Sequence, residues 1–129
     1  MLTCSCAVAE YEFYQFKTPT ECDTSPVSFL ATHAAHTLPS LTQDMTGYSL
    51  TRPVHHKEYF YGIYDTCIKF RCNIESWHCE SGPAVFEAAL AYGEALEMAD
   101  RASLFKCVML CVKRYTMYYI IADSKLGWL

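Results

Sequence analysis

Two segments of this chain repeat their apolar residues at helical spacing, and this pattern limits the folds it can adopt. Ser25 followed by Pro26 is typical of a helix start, because Ser accepts a hydrogen bond from an unpaired amide and Pro needs no donor there. Pro39 ends the first segment. The spacing predicts helices over about 26–37 and 83–101.

The segments around these helices are rich in aromatic and β-branched residues, which favour strands. Strands are predicted at 9–17, within 55–72, at 104–112 and at 115–122, and a helix through 104–113 is the alternative for the third. A length of 129 residues suits one domain, 1–129. The order predicts an α+β fold, a mainly antiparallel sheet of about four or five strands packed by two helices on one face.

Composition and charge exclude several classes of protein. With 52% apolar and 19% charged residues, the chain has enough apolar area to fold. The formal net charge is −4 and Lys and Arg form no block, so nucleic-acid binding is not expected. No apolar run approaches the ~18 residues of a membrane span. The first residues lack the features of a secretory signal, so a cytoplasmic protein is predicted.

In a reducing cytoplasm the eight cysteines should remain free thiols. Two pairs come near the spacing of zinc ligands, Cys67 with Cys72 and Cys107 with Cys111. On strands neither pair is well placed, whereas a helix would bring Cys107 and Cys111 one turn apart. The prediction is that the chain uses no cofactor, with a zinc-stabilised binding domain as an alternative.

Cys79 lies just before the predicted helix at 83–101, where helix dipoles would favour a thiolate. Glu80 opposes this effect by its negative charge, and adjacent residues of an extended chain point in opposite directions, so His78 is a poor base for Cys79. A second alternative is therefore a small Cys/His enzyme or ligand-binding domain with a cleft near Cys79, His55 and His56. The glutamates of the predicted helix, including Glu87, are interpreted as a solvated face.

A polar and aromatic cluster follows the long connection at 39–54. Its members are Arg52, His55, His56, Glu58, Tyr59 and Tyr61. The chain also has ten tyrosines and seven phenylalanines, and Tyr is enriched at protein interfaces because it buries apolar area while keeping a polar tip. The cluster is predicted to bind a protein partner.

Motifs of the common catalytic sites are missing from the sequence. It has no Gly-rich phosphate loop, no G-x-S-x-G turn and no H-E-x-x-H helix. The main prediction is therefore a non-enzymatic module that occludes or bridges a protein partner, an adaptor or inhibitor. A virus- or phage-type accessory protein in the host cytoplasm fits this description, and the aromatic strands are compatible with a homodimer.

Overall fold

Six β-strands and two α-helices form the part of the chain that the computed structural model describes, which is residues 5–17, 31–112 and 118–121. The strands are β1 (Cys6–Ala7), β2 (Glu10–Lys17), β3 (Ile74–Cys79), β4 (Val85–Leu90), β5 (Gly93–Glu94) and β6 (Tyr118–Ile121). The helices are α1 (Lys57–Lys69) and α2 (Ala95–Val112), and 3-10 turns span Ala35–Thr37 and Pro53–His56. The predicted α+β class is confirmed.

The main sheet has four antiparallel strands in the order β3-β4-β2-β6, and β1 pairs with β5 in a second, small sheet. Phe86 of the central strand β4 pairs with Phe13 of β2 on one side and with Cys79 of β3 on the other. Because paired residues point to the same face, these three side chains define the core face of the sheet. All three are at most 1% exposed.

Both helices pack against this core face. Phe60 of α1 lies with its ring 5.0 Å from that of Phe86, and Phe105 of α2 stacks on Tyr11 of β2 at 5.2 Å. Ile63 of α1 is fully buried in the same cluster. Covering one face with two helices leaves the opposite face of the sheet available for polar residues.

The segment 55–72 contains the end of the 3-10 turn Pro53–His56 and the helix α1 (Lys57–Lys69), and not the predicted strand. Four of its residues are buried at helical spacing on one side of α1, namely Tyr59, Phe60, Ile63 and Cys67. Aromatic residues favour strands only weakly, and packing against the sheet decides the outcome here. The predicted strand at 104–112 is also wrong, and its helical alternative is confirmed, since α2 continues to Val112.

The predicted helix at 83–101 is wrong in its first half, which forms β4. Phe86, Ala88 and Leu90 are all buried at the strand period of two, whereas Val85 and Ala88, three positions apart, also fit one face of a helix. Pairing with strands on both sides overrides the helix propensity of the Glu-Ala-Ala-Leu run. The true helix starts only at Ala95.

Only part of the remaining predicted strands and helix lies within the described residues. The strand predicted at 9–17 is confirmed as β2, and β6 lies inside the strand predicted at 115–122. Most of the helix predicted at 26–37 lies outside the described residues, and its described end contains the 3-10 turn Ala35–Thr37. In the described part of the chain, neither helix has the length and apolarity needed to cross a bilayer.

Candidate metal centre

The face of the sheet opposite the helices carries a row of ionisable residues. In the registers of the three neighbouring strands, Glu12 of β2 pairs with Glu87 of β4, and Glu87 pairs with His78 of β3. Glu10 lies on the same face as Glu12, because alternate residues of a strand share a face. The sheet therefore aligns three carboxylates and an imidazole across its open face.

Three of the polar residues at this face are in direct contact. The Nε2 atom of His78 lies 3.1 Å from Oε1 of Glu80 and 3.1 Å from Oε2 of Glu87. All three side chains are partly buried, with 18 to 25% of their surface exposed. We assign the proton to Nε2, since it is the atom that can donate to both carboxylates.

The connection between β3 and β4 fixes the position of Glu80. The backbone N–H of Glu80 donates to the carbonyl of Val85 at 2.9 Å, which closes the hairpin. Gly82 has a φ of 132° and Ala84 a φ of 55°, so the turn uses the left-handed region twice. The N–H of Ala84 donates to Oγ1 of Thr42 at 3.0 Å, and this bond ties the turn to the preceding connection.

The two carboxylates of the cluster have opposite pKa shifts. A hydrogen bond from the N–H of Ser81 to Glu80, 3.1 Å long, lowers the pKa of Glu80. Burial raises the pKa of Glu87, and the negative charge of Glu10 adds to this effect. Glu87 is thus an acid that a nearby cation would stabilise in its charged form.

Tyr48 covers the imidazole of His78. The two rings are parallel within 7° and their centroids are 4.7 Å apart. Tyr48 has a φ of 57°, and its N–H donates to the carbonyl of Cys79 at 2.7 Å. A hydrogen bond from its hydroxyl to Glu80 raises the pKa of Tyr48. Tyr48 therefore lies over the ring of His78 and close to the carboxylate of Glu80.

The donor atoms of His78, Glu80 and Glu87, together called the triad, fit a divalent cation. One ligand atom from each of His78, Glu80 and Glu87 lies within 4.8 Å of the others, and within the described residues this is the one such group. Adjacent ligands of an octahedral ion with bonds of about 2.1 Å lie ~3 Å apart, close to the two measured distances. Carboxylate oxygens suit Mg²⁺ and Mn²⁺, and an imidazole is compatible with Mn²⁺.

Cys79, the candidate nucleophile of the alternative enzyme hypothesis, lies on the other face of the sheet. It is 1% exposed, and burial raises the pKa of its thiol, which disfavours the thiolate that a nucleophile needs. His55 and His56 lie in the 3-10 turn before α1, where with Arg52 they line a cleft that does not include Cys79. The structure does not assemble the predicted Cys/His site.

The residues predicted to bind a protein partner do not share one surface. Tyr59 is 1% exposed and belongs to the core, because α1 turns it toward the sheet. Glu58 and Tyr61 are exposed on α1, while Arg52, His55 and His56 lie at the separate cleft. Helical geometry, which the strand prediction missed, divides the cluster.

The cysteine pairs considered for zinc have no third ligand among the described residues. Cys67 and Cys72 are buried together at the end of α1, where the thiol of Cys72 donates to the carbonyl of Cys67 at 3.5 Å. Burial raises the pKa of Cys67, so its thiol form is favoured. Cys107 and Cys111 are one turn apart on α2, and both are exposed.

This arrangement predicts which thiols react. In the native protein at pH 8, iodoacetamide should modify the exposed Cys6, Cys107 and Cys111 within minutes, and leave the buried Cys67, Cys72 and Cys79 unmodified. Mass spectrometry of tryptic peptides measures each site, and labelling in urea gives the control in which all react. Rapid native labelling of Cys79 would show that the β3–β4 hairpin packs differently.

The sequence contains signals for the triad that the prediction did not use. Glu10 and Glu12 are two residues apart on a predicted strand, so they share a face. His78 and Glu80 have the same spacing, and Glu87 follows after a Gly-Pro turn. Glu87 was assigned to a helix face because the hairpin was not recognised, and the cluster exists only once β3 and β4 pair.

A sheet that places one histidine and two glutamates around a point fits the class of metal-dependent enzyme domains. The chain matches the family model "Glutamine synthetase, catalytic domain" over residues 2–119. It therefore belongs to the glutamine synthetase catalytic domain family.

Individual proteins agree with this assignment. The chain is 42% identical over 69 residues to type-1 glutamine synthetase 2 of Dictyostelium discoideum, a match that covers 54% of this chain and 13% of that protein. Its fold is similar to that of GmaS in complex with ADP, with a TM-score of 0.63, 18% identity and coverage of 90% of this chain and 24% of that one. The fold is also similar to that of a novel glutamine synthase homolog, with a TM-score of 0.62 and 16% identity. This match covers 89% of this chain and 22% of that one. The chain thus spans an eighth to a quarter of these relatives.

Family membership corrects the main functional prediction. A viral or phage-type adaptor or inhibitor that binds a protein partner is wrong, because the chain belongs to a family of catalytic domains. The alternative of an enzyme or ligand-binding domain is the better supported reading, although the structure does not bring Cys79 together with His55 and His56. The expectation of no cofactor is not supported either.

Proposed function

We propose that this domain holds a divalent cation, Mg²⁺ or Mn²⁺, with His78, Glu80 and Glu87, and that it forms part of the nucleotide-dependent active site of a glutamine synthetase. The observation that carries the proposal is the 3.1 Å spacing of the imidazole nitrogen from each carboxylate. The proton on Nε2 occupies the position between two carboxylates that a cation would take.

The electrostatics of the open sheet face support a cation. Glu12 lies beside Glu87 in the strand register, and Glu10 adds a further carboxylate on the same face. Burial raises the pKa of Glu87 and the negative charge of Glu10 raises it further, so a positive ion nearby would stabilise the charged carboxylate. Among the described residues, no lysine or arginine forms an ion pair with Glu10, Glu12 or Glu87.

Tyr48 supports the triad from outside the donor set. Residues that orient metal ligands through hydrogen bonds set the geometry and the affinity of a site. Tyr48 stacks on the ring of His78, and the nearby charge of Glu80 contributes to the raised pKa of its hydroxyl. The proposed role of this chain's residues is therefore to hold a rigid, negatively charged set of three donors.

The product in the family name suggests the chemistry. Glutamine differs from glutamate by an amide in place of a carboxylate, and amide formation in water requires coupling to a favourable reaction such as phosphoryl transfer. The solved relative in complex with ADP is consistent with such coupling. When bound, a divalent cation neutralises phosphate charge and orients the phosphate oxygens. Three protein donors would leave further coordination positions on such an ion for those oxygens.

Manganese binding tests the proposal directly. Titration of the chain with Mn²⁺ at pH 7.5, followed by the electron paramagnetic resonance signal of the free ion, should show saturable binding to one site. ADP should strengthen the binding, because its phosphates supply further ligands. Linear, unsaturable uptake would contradict the metal site. Saturable Mn²⁺ binding that ADP leaves unchanged would contradict only the proposal that the site acts together with a nucleotide.

A further inference from the structure

A second polar cleft lies apart from the triad and has the opposite charge. It has a volume of about 430 Å³ and lies between the end of β2, the connection at 41–44 and the 3-10 turn Pro53–His56. Its lining includes four basic side chains, Lys17, Arg52, His55 and His56, and one carboxylate, that of Asp44.

The fixed cations of this cleft have no carboxylate partner within the described part of the chain. In residues 5–17, 31–112 and 118–121, neither Lys17 nor Arg52 forms an ion pair, and Asp44 pairs with neither of them. The chain as a whole has a formal charge of −4, so a concentration of positive charge is contrary to its average. Cations brought together without a counter-ion repel one another, and such an arrangement is typical of a site that binds an anion.

The pKa of His56 reflects the same positive field. Burial lowers the pKa of His56, and the charges of Lys17 and His55 lower it further. Lys17 comes from β2, whereas His55 and His56 come from the turn before α1, so two segments distant in the sequence must come together to create the field. The positive charge is therefore concentrated at one place by the fold and is not spread over the surface.

Hydrogen-bond donors in the cleft suit the oxygens of an anion. Arg52 can present two parallel N–H groups to a carboxylate or phosphate, and Lys17 supplies a compact charge. Gln15 lies two residues before Lys17 on the same face of β2, and both polar atoms of its buried side chain lack a partner among the described residues. Leu41, which donates its N–H to the carbonyl of Gln15 at 3.0 Å, connects Gln15 to the cleft wall.

We propose that the cleft formed by Lys17, Arg52, His55 and His56 binds a small oxyanion, the phosphate or carboxylate group of a metabolite. The site is distinct from the triad, which collects negative charge for a cation. Its volume exceeds that of one phosphate ion, so a larger molecule that carries such a group fits.

Nuclear magnetic resonance of the metal-free chain tests the proposal. Inorganic phosphate and malonate are added separately at constant ionic strength maintained with chloride, and no chelator is present because chelators are themselves carboxylates. The ring-proton signals of His55 and His56 should shift saturably, while that of the exposed His36 should not. A response to phosphate, to malonate or to both supports the proposal and identifies the preferred group. No response to either anion beyond that to chloride overturns it.

Matched variants separate a specific site from general charge. Lys17→Gln and Arg52→Gln should each weaken anion binding about tenfold or more, since each removes a charged donor. Lys69→Gln, at the exposed end of α1, makes the same change in net charge and should leave binding unchanged. Equal weakening in all three variants would overturn the proposal. Mn²⁺ binding should be unaffected in each, so this proposal and that of the metal site fail independently.

Discussion

Replacement of Glu87 by Gln is expected to weaken Mn²⁺ binding by about 100-fold or more. Loss of a residue that only orients a ligand already costs about 10- to 100-fold in metal affinity, and Glu87 is one of the three proposed ligands. Gln keeps the shape of the side chain and its amide oxygen, so the sheet should remain intact. What disappears is one of the two carboxylates that lie 3.1 Å from the imidazole of His78.

The control for this experiment is Glu75→Gln. Glu75 is exposed on β3, the strand that carries His78, and its replacement makes the same change in net charge. Mn²⁺ affinity should stay within about twofold of the wild type, and thermal unfolding should show that both variants are folded. If Glu87→Gln and Glu75→Gln weaken binding by the same small factor, the ion binds through general negative charge and the triad is not its site.

The fold class could be predicted because it depends on the order of elements, and the site could not because it depends on their pairing. The strand at 9–17 was recognised from its aromatic residues, and Glu10 and Glu12 then follow from the alternation of a strand. Glu87 was assigned to a helix because Val85 and Ala88 fit helical spacing, although Phe86, Ala88 and Leu90 fit the strand period. The periodicity of a six-residue apolar run does not separate these two structures.

The connection at 39–54 shows another limit of the sequence. It was identified as a long connection that could be functional, but nothing in its composition places Tyr48 over His78. That contact requires a left-handed backbone at Tyr48 and a hydrogen bond from its N–H to Cys79, thirty-one positions further along the chain. Long-range contacts of this kind are set by tertiary packing, which local propensity does not contain.

Replacement of Gly82 by Ala is expected to lower the free energy of unfolding by about 2 kcal/mol or more. The φ of 132° lies in a region that residues with a Cβ rarely adopt, at a cost of roughly 1–3 kcal/mol. The added Cβ would also lie 2.9 Å from Cγ2 of Val85, a side chain that is only 1% exposed and has little room to move. Urea unfolding followed by circular dichroism measures the change. Because Glu80 begins this turn, Mn²⁺ binding should weaken as well.

Two further variants divide the effect into its causes. Gly47→Ala is the matched control, because its added Cβ would lie 3.9 Å from the backbone of Glu80, an ordinary contact, and Gly47 does not have a positive φ. Its effect on the free energy of unfolding should stay within about 1 kcal/mol.

In the double variant Gly82→Ala/Val85→Ala the steric clash is gone and the strained φ remains. The loss of stability caused by Gly82→Ala should therefore be smaller in the Val85→Ala background than in the wild type. An equal cost in both backgrounds would assign the whole effect to the backbone. A cost for Gly82→Ala no larger than that for Gly47→Ala would mean that the turn does not hold Glu80 through its left-handed geometry.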